Sequence, residues 1–321
     1  MAAQPPLRLD SSMPLRIALV GIGKIARDQH IPALAADPRF ELVACASRNA
    51  TVDGVRNFPD LETLLAQVPG LDCISICTPP QAHFEAALAA LRAGKHVMLE
   101  KPPAATTRQI SLLADEAAAR GRTLFQTWHS RFAAGVDATR DWLRARQLVR
   151  GRIVWKEDVH FWHPGQRWIW EPGGFGVFDP GINALSILTD ILPSEVNVER
   201  AVLEFPANQQ APIAAQLQLR TVDGVNIQAD FDFRQKGEQS WDIELETTSG
   251  PLKLSRGGAG LEIEGRTIML DEGLAGEYPR LYARFAALCG AGSSEVDWRP
   301  FQLVADAFLV GERRTVAAHQ I

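Results

Sequence analysis

Two groups of residues in this sequence could carry out chemistry on a hydroxyl group. The first is Glu100-Lys101-Pro102, which follows a short apolar run. Lys101 could supply a positive charge, and Pro102 stops both strand and helix, so the lysine stands on a stiff turn. The second is Asp179 with Asn183 four residues later, a spacing that places a carboxylate and an amide on one face of a helix. An ammonium, a carboxylate and an amide could together bind a hydroxyl, accept its proton and stabilise the developing negative charge.

Each group also has a purely structural interpretation. Lys101 could be a solvated lysine at the end of a strand, and Asp179 could cap a helix with Asn183 as an incidental neighbour. The surrounding pattern favours function. The apolar run before Lys101 has the length of a strand and follows a helical pattern closed by Gly94. Lys101 should therefore lie at the carboxyl end of a strand, where open parallel sheets bind ligands.

A glycine-rich turn near the start of the chain predicts a dinucleotide site. An apolar run leads into the segment Gly21-Ile22-Gly23-Lys24-Ile25-Ala26, and a helical stretch follows. Gly21 permits the tight turn, Gly23 lets a pyrophosphate approach the backbone, and Ala26 allows close packing of helix on strand. Because a second apolar strand comes next, the context is that of a Rossmann unit and not of an isolated motif.

The end of the second strand indicates which cofactor is preferred. Ser47 and Arg48 stand where a site specific for NAD would place an acid on the ribose hydroxyls. An acid would repel a 2′-phosphate, whereas a hydroxyl and a guanidinium can bind it with charge-assisted hydrogen bonds of about 1.5–3 kcal/mol. The sequence therefore favours NADP. NAD remains the alternative if Arg48 only stacks on adenine.

The length of 321 residues predicts two domains with different strand patterns. Strands and helices alternate over 15–131, as in a doubly wound parallel sheet, and antiparallel patterns dominate from Gly151 onward. We predict an α/β protein with a loose tail over 1–14 and a Rossmann domain over 15–131. The rest, 132–321, should form an α+β domain with a large, open, mostly antiparallel sheet and closing helices at 278–288 and 301–314. Within it, 152–163 alternates as a strand does, and a helix is expected over 184–192.

Composition excludes several classes of protein. Hydrophobic residues make up 46% and charged residues 22%, with a formal net charge of -5, as in an ordinary globular protein without a basic nucleic-acid surface. No run approaches the roughly 18 apolar residues of a membrane span, and the first residues lack the apolar segment of a secretory signal. The four cysteines lack a paired spacing. We therefore expect no metal site or disulfide, and a reducing cytoplasm fits best.

The first half resembles the glucose-fructose oxidoreductase and inositol dehydrogenase (Gfo/Idh/MocA) family. The matching motifs are the glycine turn, Thr78-Pro79-Pro80 with His83, the lead-in 93–97 and Glu100-Lys101-Pro102. The resemblance implies an oxidoreductase in which this lysine lies beside nicotinamide and substrate, often with a cis bond before its proline. It implies cofactor contacts at Gly21, Gly23, Lys24, Ile25, Ser47, Arg48, Thr78, Pro79, His83, Glu100 and Lys101.

The second half resembles the bacterial aldose 1-dehydrogenases of that family, which act on L-arabinose or D-galactose. The matching segments are 155–159, 162–165, 168–174 and 178–183. The resemblance implies that the sugar is bound by Glu157, Trp162, His163, His129 and Trp241, beside Lys101, Asp179 and Asn183.

One position departs from the family pattern. The family usually has histidine where this chain has Asn183, and an amide cannot take up a proton. The role of base should therefore pass to Asp179, alone or together with Lys101, with Asn183 as the orienting partner of Asp179. Lys101 is assigned as the cation that stabilises the developing alkoxide.

The expected reaction is oxidation of C1 of L-arabinose or D-galactose to the aldonolactone, with hydride transfer to NADP or NAD. The tryptophan- and glycine-rich segment 164–174 suits a lid that stacks on sugar rings, although packing at a domain interface would use the same residues. Two other functions stay open, a secondary-alcohol dehydrogenase such as one acting on inositol and a dinucleotide sensor without catalysis. A homo-oligomer is compatible with the family, whose open sheets often pair into dimers or tetramers.

Overall fold

Two units make up the structure, a computed structural model that describes residues 13–270 and 276–320. Unit 1 contains the described residues up to Thr127 together with Tyr278–Asp297, and unit 2 contains the remainder. The sequence predicted a boundary after residue 131, but Arg131 already belongs to unit 2, where its Nε atom donates to the carbonyl oxygen of Ser186 at 2.9 Å. Of the predicted tail, residues 1–12 lie outside the described residues.

Strands and helices alternate along the first part of the chain, whereas strands dominate the second. The helices are α1 (Ile31–Ala36), α2 (Leu61–Gln67), α3 (His83–Arg92), α4 (Thr107–Arg120), α5 (Val136–Leu143), α6 (Val159–Trp162), α7 (Phe178–Ile191), α8 (Glu277–Ala291) and α9 (Arg299–Val310). The strands are β1 (Leu15–Val20), β2 (Phe40–Ala46), β3 (Arg56–Phe58), β4 (Cys73–Ile76), β5 (His96–Leu99), β6 (Leu124–Gln126), β7 (Leu148–Lys156), β8 (Val196–Pro206), β9 (Ala214–Thr221), β10 (Asn226–Asp232), β11 (Ser240–Thr247), β12 (Gly250–Ser255), β13 (Gly260–Ile263), β14 (Arg266–Leu270) and β15 (Gly311–Val316). Within the described ranges, no helix has the length and apolar character needed to cross a membrane.

Unit 1 is built on a parallel sheet with the strand order β3-β2-β1-β4-β5-β6. Strands β4, β5 and β6 are buried at every position, as expected for strands covered on both faces. The chain order reverses between β1 and β4, which is where doubly wound sheets bind dinucleotides. The predicted Rossmann sheet is therefore present.

Backbone hydrogen bonds continue beyond the carboxyl ends of these strands. The N–H of Cys77 donates to the carbonyl oxygen of Val20 at 2.7 Å, and the N–H of Glu100 donates to that of Ile76 at 3.0 Å. The glycine turn and the turns that follow β4 and β5 are therefore held side by side at one edge of the sheet.

Apart from its first residue, helix α8 belongs to unit 1, although the sequence predicted that it closes the second domain. Tyr278, Tyr282 and Phe285 of this helix are buried. The Tyr282 ring meets Phe40 edge-on with centroids 5.3 Å apart, and Phe285 stacks on Phe125 at 6.1 Å. The helix belongs to unit 1 because its aromatic face is buried against the parallel sheet. The sequence pattern showed only where the helix lies in the chain, which suggested the second domain.

Unit 2 contains a mixed sheet with the order β14-β13-β12-β11-β7-β10-β9-β8-β15. Within the described residues, the pairs β7–β10 and β8–β15 are parallel and the other neighbouring pairs are antiparallel, as predicted. Helix α7 packs on β10, where the rings of Phe178 and Phe231 meet edge-on at 5.8 Å. Residues on β9 alternate between buried and exposed, so this part of the sheet has one solvated face.

Three predicted bounds in unit 2 were wrong. The strand predicted through residue 163 ends at Lys156, because Asp158 accepts the backbone N–H of His160 and starts α6. Helix α7 begins at Phe178 and not at 184. The last predicted helix ends at Val310 and the chain continues as β15, which pairs with β8.

Candidate active site

The glycine turn of unit 1 is closed on one side and open on the other. Gly21 has φ +88°, and a Cβ there would lie 2.8 Å from the backbone nitrogen of Thr78. At Gly23, by contrast, no described atom lies within 4 Å of such a Cβ. Ala26 is fully buried, as its predicted packing role requires. The turn therefore leaves room for phosphates at Gly23 and at the helix start that follows, which fits a dinucleotide.

His83 was predicted to contact the cofactor, but its ring is fully buried between two turns. Its Nδ1 atom lies 2.9 Å from the carbonyl oxygen of Pro102, and its Nε2 atom is hydrogen-bonded to that of Thr78. Burial lowers the pKa of His83, and the two carbonyls only partly offset this. His83 therefore joins the turns after β4 and β5, and its role is to position them.

Glu100 is likewise buried, so its carboxylate holds the protein together and is not displayed to a cofactor. Its Oε1 atom accepts the hydroxyl of Tyr278 at 2.9 Å and lies 3.1 Å from Nε2 of His30. Its Oε2 atom accepts the backbone N–H of Lys101 at 2.8 Å. The bond between Lys101 and Pro102 is cis, as the resemblance implied.

The other predicted cofactor residues lie along the same edge. Ser47 follows β2 and its N–H donates to the carbonyl oxygen of Phe58 at 2.9 Å, while Arg48 is exposed. The Oγ1 atom of Thr78 is buried and, within the described part of the chain, has no hydrogen-bond partner. Lys24 forms an ion pair with Asp28. Ile25 and Pro79 retain exposed surface.

Unit 2 brings four of the predicted sugar-binding residues together with Asp179. The Nε1 atom of Trp241 donates to Oε2 of Glu157 at 3.0 Å, and Nε2 of His163 lies 3.1 Å from Oε1 of that carboxylate. The same Nε2 atom is 3.9 Å from Oδ2 of Asp179. The rings of Trp162 and Trp241 meet edge-on at 5.4 Å. We call these five residues the acidic cluster.

The imidazole of His163 lies between two buried carboxylates of the acidic cluster. The Nδ1 atom of His163 lies 3.3 Å from Oε1 of Gln166, so both ring nitrogens face oxygen atoms. A neutral imidazole can donate on one side only, whereas an imidazolium donates on both. Glu157 is buried, so its hydrogen bond to the ring reduces the cost of keeping this carboxylate from water, and Asp179 is buried beside the same ring. Sequence spacing gave no signal for the contribution of Gln166.

Two buried polar atoms of unit 2, one of them in the acidic cluster, could serve a ligand. Oδ1 of Asn183 and Nε1 of Trp162 have no hydrogen-bond partner among the described residues. A buried polar group left unpaired costs about 1–3 kcal/mol, and sugar hydroxyls can both donate and accept. Asp179 and Asn183 both lie on α7 with the spacing predicted from the sequence. This part of unit 2 suits a polyhydroxylated ligand.

The structure gives two further residues that were predicted to contact the sugar, His129 and Trp170, other partners within the protein. His129 is buried and its Nδ1 atom is hydrogen-bonded to Glu277, a partner that the sequence did not indicate, so its contact with the sugar stays a prediction. The sugar-stacking hypothesis is wrong for Trp170, which is buried between Phe233 and His319 with ring centroids at 5.9 and 5.5 Å. Its flat apolar ring is used by the core.

Comparison with known proteins identifies the family. Residues 15–127 match the Gfo/Idh/MocA oxidoreductase family with an NAD-binding Rossmann fold. A galactose 1-dehydrogenase of Pseudomonas fluorescens is 46% identical over 308 residues, which are 95% of this chain and 98% of that protein. The chain belongs to the Gfo/Idh/MocA family. It is thus an enzyme, an oxidoreductase of an NAD-binding family, as the motifs predicted.

Solved structures of this Gfo/Idh/MocA fold agree with the architecture. A D-galactose-1-dehydrogenase from Rhizobium etli is 50% identical and superposes with a TM-score of 0.92, covering 97% of this chain and 99% of that one. The 3-ketoreductase KijD10 from Actinomadura kijaniata, in complex with NADP and TDP-benzene, is 21% identical with a TM-score of 0.83, covering 94% of this chain and 99% of that one. The second likeness concerns the fold alone. The predicted fold class is confirmed.

Proposed function

We propose that this oxidoreductase oxidises C1 of D-galactose, or of L-arabinose, to the aldonolactone. The observation that carries the proposal is the acidic cluster, in which His163 joins Glu157 and Asp179 beside two indole rings. Carboxylates, an imidazole and indole N–H groups are suited to sugar hydroxyls. The identity of 46% to a galactose 1-dehydrogenase supports the choice of an aldose.

Each proposed catalytic residue has a defined task. Asp179 accepts the proton of the C1 hydroxyl, because an Asp carboxylate is normally ionised near neutrality while a lysine ammonium would first have to lose a proton. Asn183 orients the same hydroxyl through its amide. Lys101 stabilises the negative charge that develops on oxygen. The bound nicotinamide accepts the hydride from C1.

For the cofactor we propose NADP in preference to NAD. Support comes from Ser47 and Arg48, which follow β2 where an acid would select NAD. Gly21 and Gly23 would hold the pyrophosphate against the backbone. A cytoplasmic location and a homo-oligomer stay predictions. D-Galactose and L-arabinose share the configuration at C2 to C4, so one set of hydroxyl contacts could serve both.

The test is a turnover assay with a panel of aldoses and with inositol, each with NADP and with NAD. We expect reduction of NADP with D-galactose or L-arabinose, and a lactone that hydroxylamine traps. D-Glucose differs from D-galactose at C4 only and serves as the matched control, for which we expect slower turnover. Oxidation of inositol without aldose oxidation would replace the proposal with a secondary-alcohol dehydrogenase. Cofactor binding without turnover of any of them would favour a sensor.

A further inference from the structure

A buried hydrogen-bond network in unit 1 ends at the backbone of Lys101, and none of the roles proposed above uses it. His30 and the hydroxyl of Tyr278 meet one oxygen of Glu100, at 3.1 and 2.9 Å. The other oxygen accepts the N–H of Lys101 at 2.8 Å. The three donors come from the π-helical segment Ala26–His30 that follows the glycine turn, from α8 and from the lysine turn itself.

The orientation of His30 is fixed from its other side. Its Nδ1 atom lies 2.7 Å from the hydroxyl of Tyr282 and 3.3 Å from Oγ of Ser75, and all three side chains are fully buried. Because a carboxylate only accepts hydrogen bonds, Nε2 of His30 must carry the proton that it shares with Glu100. Burial lowers the pKa of His30, but Cys77, Tyr282 and Glu100 together raise it well above its usual value.

Stability alone explains this network poorly. A buried ion pair gains little over well-packed apolar side chains, because both charges must first leave water. Here the carboxylate does more than pair with His30, since its second oxygen fixes the amide of the next residue. The turn holding Lys101 is thereby tied to the helix that follows the glycine turn.

We propose that His30 and Tyr278 are positioning residues for Lys101. They hold the Glu100 carboxylate so that it fixes the backbone turn from which the lysine ammonium extends. The consequence for catalysis rests on the proposed function, in which that ammonium stabilises the alkoxide. The change in the reactivity of the lysine side chain does not rest on the proposed function, because it can be measured without turnover.

The test compares His30→Leu and Tyr278→Phe with the conservative His30→Gln, which keeps an N–H donor. Phe285→Leu is the matched control, since Phe285 is equally buried on α8 but stacks on Phe40 and Phe125. One readout is the rate at which an amine-acylating reagent modifies Lys101 in the full-length chain, followed by peptide mass spectrometry. We expect a several-fold change in His30→Leu and Tyr278→Phe, and little change in His30→Gln and Phe285→Leu.

The second readout is steady-state kinetics with D-galactose and NADP. A misplaced cation should lower kcat by about 10- to 100-fold in His30→Leu and Tyr278→Phe while KM changes little. His30→Gln should recover most of that loss. Phe285→Leu is compared with His30→Leu and Tyr278→Phe at an equal fall in Tm. If it loses as much kcat as they do, and if its Lys101 acylation changes as much, the network is only structural and the proposal fails. If the wild-type enzyme oxidises no aldose, the proposed function fails, and acylation still decides this inference.

Discussion

Nε2 of His163 lies 3.9 Å from Oδ2 of Asp179, so an imidazole stands beside the proposed base although α7 itself carries an amide, Asn183, one turn further on. The ring comes from the segment after α6 and also contacts Glu157. It can therefore hold Glu157 through a hydrogen bond and interact with the charge of Asp179, while the amide of Asn183 is the group proposed to orient the substrate.

Replacing His163 with a side chain that has no N–H group should impair catalysis more than replacing it with one that keeps an N–H group. In His163→Phe, Glu157 loses its hydrogen-bond partner and Asp179 loses the neighbouring imidazole, and we expect kcat/KM for D-galactose to fall by about 100-fold. His163→Gln keeps an N–H group and should lose about 10-fold. His160→Phe is the control, because His160 contacts Asp158 and not the acidic cluster. Equal losses in His160→Phe and His163→Phe would contradict a specific role for His163.

The two glycines of the turn should separate folding from cofactor binding. Gly21→Ala forces a Cβ against Thr78 at a φ of +88°, a strain of about 1–2 kcal/mol before the clash is counted. We expect Tm to fall by about 2–8 °C, measured by calorimetry without cofactor. Gly23→Ala has room for its Cβ and should keep the wild-type Tm, but lose affinity for NADP in titration calorimetry. A similar Tm loss in both variants would show that Gly23 is also structural.

Arg48→Ala tests the choice of cofactor. If the guanidinium binds the 2′-phosphate, the dissociation constant for NADP should rise by about 10- to 100-fold, the value of one charge-assisted contact, with little change for NAD. Arg39→Ala is the matched control, because Arg39 precedes β2 while Arg48 follows it. Equal losses for NADP and NAD would show that Arg48 stacks on adenine.

Local patterns predicted much of this molecule, and the failures share a physical cause. The glycine turn, the strand before Lys101 and the i, i+4 pair on α7 depend on near neighbours, which the sequence displays directly. Contacts between distant segments leave no such signal, and the placement of α8 and the pairing of His129 with Glu277 were therefore missed. Glu100 and His83 were predicted to contact the cofactor, but their buried side chains position turns instead. Burial decides between these two roles, and the sequence does not show it.

The His30–Glu100 pair should make stability depend on pH. The pKa of His30 in the folded chain lies above its usual value of 6.5, so the folded state holds the proton more tightly than the unfolded state. The resulting stabilisation is complete below about pH 6.5 and is lost as pH rises through the folded pKa. The Tm advantage of wild type over His30→Gln should therefore shrink on raising the pH. An advantage that stays constant with pH would mean that the ring is neutral.

The final prediction separates Asp179 from Lys101 as the base. Asp179→Asn should lower kcat by roughly 10²- to 10⁴-fold and remove the acid limb of the pH–rate profile, because the group that must ionise has gone. Lys101→Ala should also be slow, since the developing alkoxide loses its cation, but it should keep that limb. Glu157 and His163 lie in the same cluster as Asp179, so the comparison of the two variants decides the assignment. A limb that vanishes with Lys101 and persists without Asp179 would reverse the two roles, and the lysine would then be the residue that takes the proton from the C1 hydroxyl.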